Sequence, residues 1–148
     1  MIEPQTIYHP LYTDTDKFII LITGGRGSGK SFNASTFIER LTFEMMEAEK
    51  IVHQILYTRY TMVSAGMSII PEMMEKIELD GTIKYFKTTK TDIVNKMTKS
   101  RIMFRGIKTS SGNQTAKLKS IQGITTFVCD EAEEWTNEEE FDKIMLSI

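Results

Sequence analysis

The run KFIILIT (17–23), followed at once by GGRGSGKS (24–31), limits the fold more than any other stretch of the chain. A continuous apolar run rich in β-branched residues and bounded by turn signals reads as a strand buried on both faces. The next eight residues satisfy G-x-x-x-x-G-K-[ST], a pattern that chance would supply in about half a per cent of chains this long. From Ser31 onward Ala34, Phe37, Ile38, Leu41, Met45 and Ala48 recur at helical spacing, so the pattern lies between a strand and an amphipathic helix over 31–50. Glycines let successive backbone N–H groups converge on a phosphate, and the helix N-terminus adds its partial positive charge. In that setting Lys30 reaches the β- and γ-phosphates of a nucleotide and the Ser31 hydroxyl ligates Mg²⁺. A bare glycine turn would explain neither residue.

A second acidic site follows one hundred residues after Lys30, where Asp130 and Glu131 end the apolar strand ITTFVC (124–129). Ligands of open α/β sheets bind at the carboxyl ends of strands, which sets this pair beside the phosphate loop. Asp130 suits the Mg²⁺ shell, and Glu131 suits orienting and deprotonating an attacking water, so the pair points to hydrolysis rather than to phosphoryl transfer onto another acceptor. The neighbouring Glu133, Glu134, Glu138, Glu139 and Glu140 read as a solvated helix start. Arg26, inside the loop, either faces the γ-phosphate or pairs with a local carboxylate. Arg59, after the second strand, either senses nucleotide or links sheet to helix. His9 and His53 lack a metal-ligand companion at suitable spacing and read as structural. The methionines and Trp135 read as packing.

Elsewhere, 51–58 reads as a second strand, and Met62, Met73, Met74 and Ile77 give a shorter helical pattern interrupted by Pro71. Short strands are expected at 82–86, 92–94 and 101–104. Phe141, Ile144, Met145 and Ile148 predict a last helix behind a cap at Thr136, with Glu139 three residues on. Strands alternating with helices imply an α/β fold with a mostly parallel sheet, in one domain over 1–148. From Lys84 to Lys119 there are ten basic residues and one acid, against eight basic and nineteen acidic in the rest. That asymmetry suits either a polyanion partner or a lysine-rich sheet edge. The segment also holds TSSGNQ (109–114), which reads as a loop. One cysteine excludes an intramolecular disulfide. No apolar run reaches the roughly 20 residues of a membrane span. The start MIEPQTIYHP has neither a basic nor an apolar signal region, so a cytoplasmic protein is expected.

With these residues in view, the chain resembles the N-terminal ATPase domain of the large terminase subunit of tailed phages, the DNA-packaging motor. YHPLY before FIILITGGRGSGKS, then YTRYTMVSAGMSII, then KSRIMFRGIKTSSGNQTAKLKSIQGIT, and finally TFVCDEAEEW carry the likeness over nearly the whole chain. The resemblance implies a P-loop fold of the additional-strand ATPase type, with ATP and Mg²⁺ as ligands. It implies that Gly25, Arg26, Gly27, Ser28, Gly29, Lys30 and Ser31 bind the nucleotide, with Arg26 as the loop arginine. By the same likeness Asp130 binds metal, Glu131 is the catalytic carboxylate, and Tyr8 and Tyr12 fall where the family holds adenine. Arg105, Lys117 and Lys119 become candidates for contact with DNA or another domain. Double-stranded DNA, a small terminase subunit, a portal protein and a homo-oligomeric ring are the implied partners, in the cytoplasm of a bacterial host. Members of the family continue into a nuclease domain, which these residues do not include, so a truncated ATPase domain is expected. Two rivals stay open: a helicase-like or DNA-repair ATPase on the same fold, and a prophage fragment that binds nucleotide without hydrolysing it.

Overall fold

The computed structural model describes residues 1–44, 52–61, 69–109, 112–113, 121–135 and 138–145. A 3₁₀ turn (Thr6–Tyr8) leads into the one-turn helix α1 (Pro10–Thr13), followed by helix α2 (Lys30–Leu41), strand β1 (Gln54–Thr61) and helix α3 (Ile70–Leu79). Strands β2 (Phe86–Thr88), β3 (Asp92–Asn95), β4 (Arg101–Thr109), β5 (Gly112–Asn113) and β6 (Thr126–Cys129) come next, and helix α4 (Glu138–Met145) closes the order. The sheet runs β2-β3-β4-β1-β6, with β5 folded back on β4. Strands β4, β1 and β6 are parallel, and β2, β3 and β5 add antiparallel partners. This is the α/β class expected from the sequence, a parallel centre carrying an antiparallel extension on one side.

Side chains alternate across a strand, so each central strand feeds two cores. Ile55 and Tyr57 of β1, with Ile102 and Phe104 of β4, pack beneath Ile38 of α2 and Ile70, Met73 and Ile77 of α3. Leu56 and Met103 face the other way and meet Ile144 of α4, with Phe127 and Trp135 beside them. Full burial of a side chain such as Phe104 contributes about 2 kcal/mol. Pro71 lies in the first turn of α3, where its missing N–H costs nothing, so it starts this helix rather than interrupting it. The helix ends in a Schellman turn: Thr82 N–H donates to Ile77 O at 3.1 Å and Gly81 N–H to Glu78 O at 2.9 Å, with Gly81 at φ +79°.

Several sequence expectations shift. Residues 17–23 form no strand, and Phe18 (94 %), Ile19 (71 %) and Leu21 (81 %) are exposed rather than buried. A strand is held by its neighbours, and among the described residues none pairs with this segment; β6 pairs with β1 and ends the sheet order. For the same reason β6 is half-buried, not the fully buried strand its composition suggested. Residues 83–85 are a 3₁₀ turn rather than the start of a strand, and β4 runs on to Thr109. Gly112 and Asn113, read as loop, pair antiparallel with Thr109 and Lys108. The expected helical residues Met45, Ala48 and Met62, the cap Thr136 and Ile148 lie outside the described residues, as does Ile51.

Glu39 of α2 is fully buried; its Oε1 accepts from the Thr82 hydroxyl and its Oε2 has no hydrogen-bond partner. Burial pushes its pKa up to about 7, against the Thr82 bond, with Asp80 adding to the rise and Arg40 opposing it. The folded chain thus holds a proton that the unfolded chain releases near the ordinary glutamate value. Stability from this group is present below that value and falls as pH rises toward 7. Glu39→Gln is expected to flatten that loss, raising Tm by several degrees at pH 8 and little at pH 4. Thermal melts of both proteins across that range check it.

Candidate phosphate-loop and acid-pair site

The glycine loop ends on Gly29, which caps α2 at φ +79°, and no side chain caps the helix. The first N–H groups of α2 therefore keep their capacity for an anion. A Cβ on Gly29 would lie 3.1 Å from Gln5 Oε1 and 3.2 Å from Asn33 Nδ2, a tight fit that those side chains would have to yield to, and the left-handed backbone angle favours glycine. Lys30 folds back over the loop: its Nζ donates to Gly24 O, to Gly25 O at 2.9 Å and toward Ser28 Oγ at 3.5 Å. Arg26 and Ser31 are exposed.

The N-terminal segment braces this loop through Tyr8, named above by resemblance, and through Gln5 and Asn33, which motif reading passed over. The Tyr8 hydroxyl donates to Ser28 O at 2.9 Å, and Asn33 Nδ2 donates to Gly29 O at 2.9 Å while its Oδ1 accepts from Gln5 N–H at 3.4 Å. Tyr12 stacks edge-on against Phe37, with Arg40 over its ring. Arg40 grips Asp80 with two bonds, Nη2–Oδ1 at 2.9 Å and Nε–Oδ2 at 3.1 Å, and also donates to Ile2 O. Ile2 N–H donates in turn to Asp80. The first residues, α2 and the end of α3 are thereby tied at one point. A polar pair forty residues apart carries no short-range sequence signal. Lys17 and residues 19–23, with Ile7, Tyr8 and Leu11, also line a cleft of about 380 Å³.

The acid pair is built by the parallel register. Thr58 of β1 sits opposite Cys129 of β6, and Asp130 N–H donates to Thr58 O at 2.9 Å. That brings Arg59 and Asp130 together at the carboxyl ends of adjacent strands, the location expected for the pair. Arg59 Nε bonds Asp130 Oδ2 at 2.7 Å and lies 3.8 Å from Glu131 Oε2. Arg59 thus joins strand to strand, an arrangement neither sequence option described. Burial, and next the Asp130 charge, push the hydroxyl of Tyr57, two residues before Arg59 on the same strand, well above its ordinary value. Glu131 occupies the left-handed region at φ 53°, an unfavoured conformation for a non-glycine residue. Burial pushes its carboxyl up, Arg59 pulls it down, and Asp130 and Glu134 push it up again, for a net rise. Burial and the Asp130 charge likewise push the Cys129 thiol up to about 11.

The side chains therefore fall into two groups: Tyr8, Ser28 and Lys30 around the loop, and Arg59, Asp130 and Glu131 at the strand ends. Among the described residues no hydrogen bond or ion pair joins Lys30 or Ser31 to Asp130 or Glu131. Among them too, no cluster of three or more His, Cys, Asp or Glu is arranged for a metal, so a cation here would draw on few protein ligands. Trp135 packs edge-on against Phe141, as expected. Arg105 Nη1 bonds Asp92 Oδ1 at 2.9 Å and Phe104 O at 2.8 Å, so this arginine is engaged within the sheet. Lys117 and Lys119 lie outside the described residues. No described helix is long and apolar enough to cross a membrane.

A family model described as Phage terminase large subunit matches residues 16–148. No curated protein matches the chain.

Proposed function

The chain belongs to the phage terminase large subunit family, with a role in phage DNA packaging, and we propose that residues 1–148 are its ATP-hydrolysing motor part. The observation that carries this reading is the pairing of an uncapped helix N-terminus behind GGRGSGKS with an acid pair at the carboxyl end of a parallel strand. The donor set fits a magnesium-bound triphosphate. Gly25, Arg26, Gly27, Ser28 and Gly29 form a loop that turns at Gly29 through a left-handed backbone angle favouring glycine, and Lys30 already seats an ammonium at its mouth. Ser31 and Asp130 would hold Mg²⁺, which supplies charge neutralisation on the phosphates. Lys30 would turn from the Gly24 and Gly25 carbonyls to the β- and γ-phosphates. Glu131, with its raised carboxyl, would orient the attacking water and take its proton. Arg26, exposed in the loop, would steady charge on the γ-phosphate. Tyr8, bonded to the loop at Ser28, would lie against the nucleotide base. Double-stranded DNA would be the translocated substrate in the host cytoplasm, with a small subunit, a portal protein and neighbouring copies in a ring as partners. Lys117, Lys119 and Arg105 are the basic residues assigned to DNA or domain contact.

Lys30→Ala is expected to weaken ATP binding at least tenfold, by equilibrium binding of a fluorescent ATP analogue, without lowering Tm. Unchanged affinity would overturn the assignment. A second reading, nucleotide binding without turnover, is favoured by one observation: Lys30 is bonded to its own loop and to neither acid of the pair. ATP binding with no phosphate release, even with DNA and the other packaging components present, would select it.

A further inference from the structure

Arg59 is the best-placed cation in the described structure that the proposed chemistry leaves without a task. Its side chain is 15 % exposed and that of Asp130 is 17 %, so their 2.7 Å contact is a largely desolvated, charge-assisted bond rather than a surface pair. The same guanidinium lies 3.8 Å from Glu131, whose side chain is 44 % exposed and held less closely. Two adjacent carboxylates facing one partly buried space repel each other, and Arg59 supplies a positive charge bonded to Asp130 and within ion-pair distance of Glu131. Its position follows from the fold: the parallel register brings the residue after Thr58 beside the residue after Cys129.

We propose that Arg59 is a positioning residue that occupies the cation's place at Asp130, beside Glu131, so that a divalent cation binds only by displacing it. The proposal rests on the reading of Asp130 as a metal ligand. A fixed +1 charge is exchanged for a +2 charge at the same carboxylate. The exchange frees Asp130 Oδ2 and Glu131 together, because one guanidinium restrains both. Cation arrival and release of the water-orienting carboxylate thereby become a single event. Without cation, Glu131 stays tethered and the pair is neutralised.

The test is Mn²⁺ binding to the chain without nucleotide, followed by electron paramagnetic resonance, for the wild type, Arg59→Gln, Arg59→Lys and Asp130→Ala. Arg59→Gln removes the competing charge and is expected to tighten Mn²⁺ at least tenfold, whereas Arg59→Lys keeps the charge and stays within about threefold of wild type. Asp130→Ala is expected to abolish the site. Equal or weaker Mn²⁺ binding by Arg59→Gln, with the site still lost in Asp130→Ala, overturns the competition while leaving Asp130 a metal ligand. Mn²⁺ binding unaffected by Asp130→Ala overturns both. If Arg59→Gln does not fold, Arg59→Lys decides, since its shorter reach loosens the bond to Asp130: Mn²⁺ affinity more than about threefold below that of the wild type counts against displacement, and affinity within that range or higher supports it.

Discussion

Glu131→Gln is expected to leave ATP bound and to lower turnover about a thousandfold, the middle of the range for loss of a positioned general base. The amide keeps the size and the hydrogen-bonding reach of the carboxylate but cannot accept the proton from water. Glu131 is suited to that task by its surroundings: burial, Asp130 and Glu134 raise its carboxyl, while Arg59 keeps the rise in check. Its φ of 53° is a backbone cost tolerated at the end of β6, and it turns this one residue out of the strand direction. Phosphate release, measured with DNA and packaging partners supplied, reads the loss; binding of a fluorescent ATP analogue, unchanged, separates it from a folding defect. Turnover within tenfold of wild type in a folded variant would remove Glu131 from the chemistry.

Arg40→Ala is expected to destabilise the chain by about 3 kcal/mol, because it strands a buried carboxylate. Asp80 is 3 % exposed at its side chain and takes two bonds from Arg40, with one more from Ile2 N–H. Burial would raise its pKa, but the Arg40 and Ile2 bonds outweigh this and hold the carboxyl below the usual aspartate value. A depressed carboxyl stabilises the folded chain above its ordinary pKa, and this contribution is lost as pH falls through the folded value. Urea melts at neutral pH read the destabilisation, and the variant's acid-side loss should be shallower than the wild type's. Asp80→Asn provides the contrasting arm: Arg40 is 25 % exposed and can reach water, so the cost is smaller. Equal stability of Arg40→Ala and wild type would mean that the tie between the N-terminus, α2 and α3 contributes nothing.

What the sequence conveyed was local. A glycine-rich loop has its chemistry within eight consecutive positions, and an apolar run ending in two acids announces a strand end, so Lys30, Ser31, Asp130 and Glu131 were legible before any coordinates. The family match over 16–148 agrees with the likeness drawn from those stretches. The partners of these residues were not legible, because they are set by register. Nothing in YTRYT states that β1 lies parallel beside β6, yet that pairing alone brings Arg59 to Asp130. Arg40 and Asp80 meet across forty residues through the packing of α2 against the end of α3, which no local pattern states either. Residues 17–23 failed in the opposite sense: their composition is that of an interior strand, but composition cannot supply the neighbour that makes one.

Phe18, Ile19 and Leu21 stand uncovered immediately upstream of the glycines that would cradle phosphate. The stretch leading into the loop thus leaves apolar area in water, whereas the stretch leading out of it, α2, is fastened to the core through Ile38. A contact that covered those three side chains would gain from their burial while touching none of the residues assigned to phosphate.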